Sequence, residues 1–273
     1  MNTINTVGKT HGAKPTKGKY ILSLLALIIA SLNTFSQVAE QWRVIYNGNG
    51  NGTDHPNSLA IDSSGNIYVT GHSFNGTNND YATIKYNTSG VQQWAAIYNG
   101  SGNGDDSESI IVVDDSGNVY VTGTSFNGTD NNYATIKYNT NGVQQWVALY
   151  DGGVNGSQLN ASAIAIDDPG NVYVTGSSYN GINSDYATIK YNSNGVQQWT
   201  AIYNGSANSW DFAYSITVDS PGNVYVAGRS NNGTNNDYAT IKYNASGVQQ
   251  WIAVYDGIGN SADEPTAIAL DDS

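Results

Sequence analysis

The sequence predicts an all-β chain, and three observations predict it. Tyr (20 residues) and Trp (6) are abundant while charged residues are only 12%, well below the roughly 25% of an ordinary soluble domain. Trp42, Trp94, Trp146, Trp199 and Trp251 recur every 52 or 53 residues, as do Gly65, Gly117, Gly170 and Gly222. Beyond the N-terminal apolar run no window holds a helical period, and Val, Ile, Thr and Tyr fill short runs bounded by Gly, Asn and Asp, which is the pattern of strands.

The first element is a leader. Residues 1–19 carry Lys9, Lys14, Lys17 and Lys19 and no acid, and Ile21 to Leu32 is nearly all apolar. A basic start, a short apolar run and a polar exit describe a secretory signal peptide. Twelve residues are too few to span a bilayer, which takes about 20. Residues 1–37 are therefore read as a signal peptide cleaved near Gln37, which predicts a secreted or cell-surface protein. The leader holds four of the ten Lys and Arg and none of the 22 Asp and Glu, so residues 38–273 carry about 6 − 22 = −16. Such a surface repels nucleic acid and anionic membranes, attracts cations such as calcium, and predicts no membrane insertion of the mature chain. The absence of Cys excludes a disulfide scaffold, a thiolate zinc site and a cysteine nucleophile.

Each repeat then reads as four strands, a to d. In one repeat these are Ala163 to Ile166, Asn171 to Thr175, Tyr186 to Tyr191 and Val196 to Tyr203. Between a and b, Asp168-Pro169-Gly170-Asn171 suits a type II turn with Gly in third place. Between c and d, Asn87-Thr88-Ser89-Gly90 suits a type I turn followed by a left-handed Gly. Both links are tight, so the four strands form a meander. Strand b turns Val119 and Val121 to one side and Tyr120 and Thr122 to the other. Side chains alternate along a strand, so both faces of the sheet are apolar and both must be covered. Four-stranded sheets of about 52 residues, stacked face to face, make a β-propeller. The expected blades are residues 58–98, 110–150, 162–203 and 215–255, with a lone strand d at 41–47 and a lone strand a at 266–273. The last run stops inside an a–b turn, so a truncated chain is expected, with further blades beyond it.

The stretch D-x-x-G-N-[IV]-Y-V-x-G, the Lys-Tyr-Asn that ends strand c, and S/N-G-V-Q-Q-W resemble the SBBP-type bacterial β-propeller repeat over residues 38–273. A weaker likeness is to the NHL and quinoprotein propeller repeats, with no complete cofactor-site motif of either. The resemblance implies a propeller in an extracytoplasmic protein and carries no activity with it.

Positions identical in every repeat are read as structural, including the four Trp and Lys85, Lys137, Lys190 and Lys242, for which pairing with Asp62, Asp114, Asp167 and Asp219 is expected. The longer d–a and b–c links project from one rim, the expected binding face. Trp210, with Asp211 and Phe212, breaks the repeat there and is a candidate ligand contact. His55 and His72 are the two histidines of the mature chain and form a second candidate. Asp105, Asp106 and Glu108, and separately Asp263 and Glu264, offer hard oxygen donors suited to calcium. The four N-G-T tripeptides at Asn51, Asn75, Asn127 and Asn232 are read as turns. No nucleophile elbow, zincin or phosphate-loop motif is present. The expected function is a non-catalytic secreted propeller presenting its rim to an extracellular polymer or protein. The alternatives are a calcium-assisted lyase or hydrolase and a passive spacer.

Overall fold

The computed structural model describes residues 40–153, 158–259 and 261–271. The leader read at 1–37 lies outside them. The chain divides into two units, and the second, Val44–Ser273, holds every strand. The described part of the first is residues 40–43, without helix or strand.

Sixteen strands form four sheets. The first has β1 (Asp54–Ile61), β2 (Ile67–Phe74), β3 (Asn79–Tyr86) and β4 (Gln92–Tyr98). The second has β5 (Asp106–Val113), β6 (Val119–Phe126), β7 (Asn131–Tyr138) and β8 (Gln144–Tyr150). The third has β9 (Leu159–Ile166), β10 (Val172–Tyr179), β11 (Ser184–Tyr191) and β12 (Gln197–Tyr203). The fourth has β13 (Asp211–Val218), β14 (Val224–Asn231), β15 (Asn236–Tyr243) and β16 (Gln249–Tyr255). Each is an antiparallel meander in chain order. The first strands β1, β5, β9 and β13 touch in succession and are innermost. These are the blades of a β-propeller, as the period predicts.

Strand a begins three or four residues before the expected starts, at Asp54, Asp106, Leu159 and Asp211. Its opening residues are mostly polar, so the apolar run marks only the second half of the strand. A register shift separates the halves, as between Pro56 and Ser58. The segments expected as lone strands, 41–47 and the described part of 266–273, carry no strand assignment. A strand assignment rests on a ladder with a neighbouring strand, and the strand pairings run only among the sixteen strands above. They nevertheless take strand-like places. Tyr46 packs with Val69, Ala82, Ile84 and Tyr86, as Tyr98 packs on the next blade. Ile268 N donates to Ser215 Oγ at 3.3 Å, as Ile111 N does to Ser58 Oγ at 3.4 Å.

The core lies between blades. One cluster joins Tyr120 and Tyr133 of the second blade to Leu159, Ile164, Val172, Val174 and Ile189 of the third. Each blade's tyrosine face thus seats the aliphatic face of the next. Tyr133 is fully buried and its hydroxyl donates to Ser177 O across that interface at 2.9 Å. Inside blades, the buried Thr122 and Thr135 hydroxyls meet at 3.0 Å, and Thr175 and Thr188 do the same. One face of the first blade is left partly uncovered. Leu59 is 64% exposed, whereas its counterparts Ile111, Ile164 and Ile216 are 4–8% exposed.

The a–b turns differ from the expected type II register. Gly170 N donates to Asp167 O at 2.9 Å, which makes Gly the fourth residue of the turn, counted from Asp167. The Asp167 side chain selects this register, its Oδ1 accepting from Asn171 N and its Oδ2 from Asn171 Nδ2 and the Tyr173 hydroxyl. At Asp62 and Asp219 burial opposes ionisation, but such hydrogen bonds outweigh it and hold the carboxyls below their ordinary range. The c–d turns match expectation, Gly90 at φ 76° closing on Asn87 O at 2.9 Å. The repeated lysines do not form the expected ion pairs with these aspartates. Tyr hydroxyls occupy the carboxylates, and Lys85, Lys137, Lys190 and Lys242 sit over the rings of Tyr68, Tyr120, Tyr173 and Tyr225 at 5.0–5.1 Å.

The repeated tryptophans stitch blade to blade. Trp146 Nε1 donates to Ser193 O in the c–d turn of the third blade at 3.1 Å. Its ring lies over Gly195, where a Cβ would come within 2.6 Å and where φ is +77°. Gly195→Ala is therefore expected to cost about 1–3 kcal/mol through strain and overpacking. Ile182→Ala, at a 73% exposed rim position, should stay within about 0.5 kcal/mol. Urea midpoints of the two variants check both.

Candidate ligand-binding cleft

The rim loops are built by Asn side chains. Asn75 Oδ1 accepts from Thr77 N and Asn78 N, and its Nδ2 donates to Asn78 and Asp80. The N-G-T tripeptide there is turn chemistry. Asn183 Nδ2 then donates to Ser209 O in the next blade at 2.7 Å, which ties the b–c loop of one blade to the d–a loop of its neighbour.

Along the inner strands of the second to fourth blades, at this rim, runs a cleft of about 650 Å³. Its polar wall comes from cross-strand pairs, Ser107 with Thr124 and Asn160 with Ser177. Its aromatic wall is Tyr179, Trp210, Phe212 and Tyr214. Trp210 and Phe212 are stacked, 7° from parallel with centroids 6.1 Å apart, and Tyr179 stacks with Trp210 at 6.4 Å and 26°. Phe212 is backed by the Arg229 guanidinium at 4.7 Å from its centroid, and Arg229 pairs with Glu264. Trp210 is 50% exposed. Among the described residues, no Asp, Glu, Lys, Arg or His lines it.

The structure divides the sequence candidates. Trp210 and Phe212 form the cleft's platform. Asp211, between them, points the other way. It is fully buried, and its Oδ2 accepts from Gly205 N at 2.6 Å and its Oδ1 from Asn231 N at 3.2 Å. Alternation along β13 dictates this. His55 and His72 pair across β1 and β2 with rings 5.2 Å apart, away from the cleft lining. Burial, then the His55 charge, hold His72 below its ordinary range against the pull of Asp105 and Asp54, so it is neutral near pH 7.

Of the acids expected to gather around calcium at 105–108, Asp105 and Asp106 have separate partners. Asp105 is exposed and accepts from Asn79 N at 2.9 Å. Asp106 is buried, accepting from Gly100 N at 2.8 Å and Phe126 N at 3.2 Å. The Glu108 side chain lies outside the described residues. Asp263 does not share a site with its neighbour Glu264, which pairs with Arg229. It meets Asp237 and Asp256 instead.

Sequence reasoning missed Ser107, Thr124, Asn160, Ser177 and Tyr214. Their signal was present. The position after V-T-G or V-A-G is His72, Thr124, Ser177 and Arg229, and the second residue of strand a is His55, Ser107, Asn160 and Phe212. Both vary inside otherwise constant strands.

A repeated four-stranded meander stacked blade on blade defines this chain as a β-propeller repeat protein. Residues 41–78, 145–183 and 198–235 match the family model of the SBBP β-propeller repeat. No curated protein matches the chain in sequence. Among solved structures, one similar chain is a Bacteroides caccae protein of unknown function, with 12% identity over 73% of this chain and 61% of that one, TM-score 0.45. Another is a PL25 ulvan lyase bound to -[GlcA(1-4)Rha3S]-, at 10% identity over 73% and 55%, TM-score 0.49. A third is an exo-β-1,3-galactanase from Clostridium thermocellum, at 10% identity over 77% and 49%, TM-score 0.48. The chain thus spans less than two thirds of each of these.

Beneath the rim, acids meet at blade interfaces. Burial, then the Asp211 charge among other effects, raise Asp185 above its ordinary value of 3.8, against a lowering hydrogen bond from Asn180. A carboxyl with a raised folded-state value costs stability when ionised. That cost is absent below about pH 3.8 and grows as pH rises through the folded value. Asp185→Asn places the residue found at the equivalent position 132. Its melting temperature is expected to match the wild type near pH 3.5 and to exceed it by a few degrees at pH 7, as read in a calorimetric pH series.

Proposed function

We propose that the chain is a secreted, non-catalytic propeller whose rim cleft binds a neutral carbohydrate polymer. The observation that carries this reading is the Trp210–Phe212 platform facing hydroxyl and amide side chains. Sugar rings present apolar C–H faces and equatorial hydroxyls, and an aromatic plane beside Ser, Thr, Asn and Gln groups matches both. The net charge of residues 38–273 disfavours a polyanion. A leader-like run at 1–37 supports export. A lyase or hydrolase needs a base or acid within reach of its substrate, and among the described lining residues the titratable groups are the phenols of Tyr179 and Tyr214.

Affinity electrophoresis against a xylan, a mannan, a β-glucan and a galactan tests the reading. Retardation by at least one polymer is expected, with at least tenfold weaker binding in Trp210→Ala and Phe212→Ala at unchanged melting temperature. No retardation by any of them, or equal retardation of both variants, would discard it.

A further inference from the structure

Asp237, Asp256 and Asp263 stand apart from the cleft and from its proposed ligand. Asp237 is the second residue of β15, Asp256 follows β16, and Asp263 begins the segment that packs on β13. One carboxylate oxygen from each lies within 4.8 Å of the other two, and this is the only such group of three among the described residues. Asp237 is 3% exposed. Its Oδ2 accepts from Asn232 Nδ2 at 2.8 Å, while its Oδ1 is buried with no hydrogen-bond partner. A buried, unpaired carboxylate oxygen is costly, and three negative charges this close repel.

The repeats show that the third acid is an addition. The equivalents of Asp237 and Asp263 meet as Asp80 with Asp106 and as Asp185 with Asp211, each pair close enough to perturb ionisation. At those two interfaces the position of Asp256 is held by Asn99 and Asn204. Asp151 also occupies it, but there the other two positions are Asn132 and Leu159. Among the described residues, no other three acids bring a carboxylate oxygen each within that distance.

We propose that Asp237, Asp256 and Asp263 bind a calcium ion that clasps the fourth blade to the segment following it. All donors are hard oxygens, half-exposed Asp263 and exposed Asp256 leave room for the waters that complete six to eight ligands, and calcium accepts irregular geometry. The ion would take the unpaired Asp237 oxygen as a ligand and remove the repulsion. Asp263 Oδ2 is already positioned by Gly257 N at 2.7 Å.

Calorimetric titration of the chelator-treated full chain with calcium chloride, alongside melting curves with and without EDTA, tests this. A dissociation constant of about 10⁻⁴–10⁻³ M, in the range of extracellular modules, and a reversible rise in melting temperature are expected. Asp256→Asn restores the residue found at 47, 99 and 204, so in EDTA it should fold and melt at or above the wild-type temperature, because it relieves the repulsion, while binding calcium at least tenfold more weakly. Asp237→Asn, matching position 132, should do the same. Asp151→Asn should bind as wild type. No calcium effect on the wild type, undiminished binding in Asp256→Asn and Asp237→Asn, or equal loss in Asp151→Asn would each overturn the assignment. None of these outcomes bears on polysaccharide retardation, so this site and the cleft stand or fall separately.

Discussion

Every other feature depends on the need to cover both apolar faces of each blade. A four-stranded sheet with Tyr on one side and Val, Ile and Ala on the other cannot stand alone in water. The chain meets this by laying the tyrosine face of one blade on the aliphatic face of the next, with Tyr120 and Tyr133 against Val172, Val174 and Ile189. At the outer edge the indole of Trp146 closes the joint over Gly195 and bonds Ser193 O. The left-handed glycine serves two needs there: it turns the c–d hairpin, and it leaves the space that the ring fills. This is why Gly and Trp share one period in the sequence.

That joint explains why much of the fold was legible. A residue required at every interface must recur once per repeat, so the period, the four strands, the c–d turn and the structural role of Trp all follow from the chain alone. What failed did so for local reasons. The a–b turn was read from Pro-Gly, but the Asp167 side chain, bonding forward to Asn171 and Tyr173, moves the turn's first residue back by one. Lysine was read as an ion-pair partner because opposite charges shared the repeat. A tyrosine hydroxyl reaches the carboxylate first, and the ammonium settles over that ring. The starts of strand a were set too late because polar residues near the rim escape a hydrophobic count.

The candidate cleft was legible only in part. Trp210 and Phe212 break the repeat conspicuously in a loop. Thr124, Ser177, Ser107 and Asn160 vary within strands whose other residues scarcely change, and strand positions read as scaffold. Alternation also separates neighbours that look alike in sequence. Phe212 reaches the cleft, while Asp211 is buried on main-chain amides one residue earlier. Adjacency in the chain was thus a poor guide to a shared site, both here and at Asp105 and Asp106.

Charge is distributed along the arc with the same economy. The acid pair beneath the rim occurs as Asp80 with Asp106 and as Asp185 with Asp211, and it gains a third member at Asp237, Asp256 and Asp263. Between the second and third blades both members change together, to Asn132 and Leu159. Drift at one position would leave a buried aspartate beside a leucine, which is unfavourable unless the carboxylate is paired. Losing both avoids that cost. That interface is also where Asn131, Gln158 and Leu159 line the cleft. Removing the two carboxylates therefore takes negative charge from one part of the cleft, while the Asp185–Asp211 pair stays buried beside the Trp210–Phe212 platform.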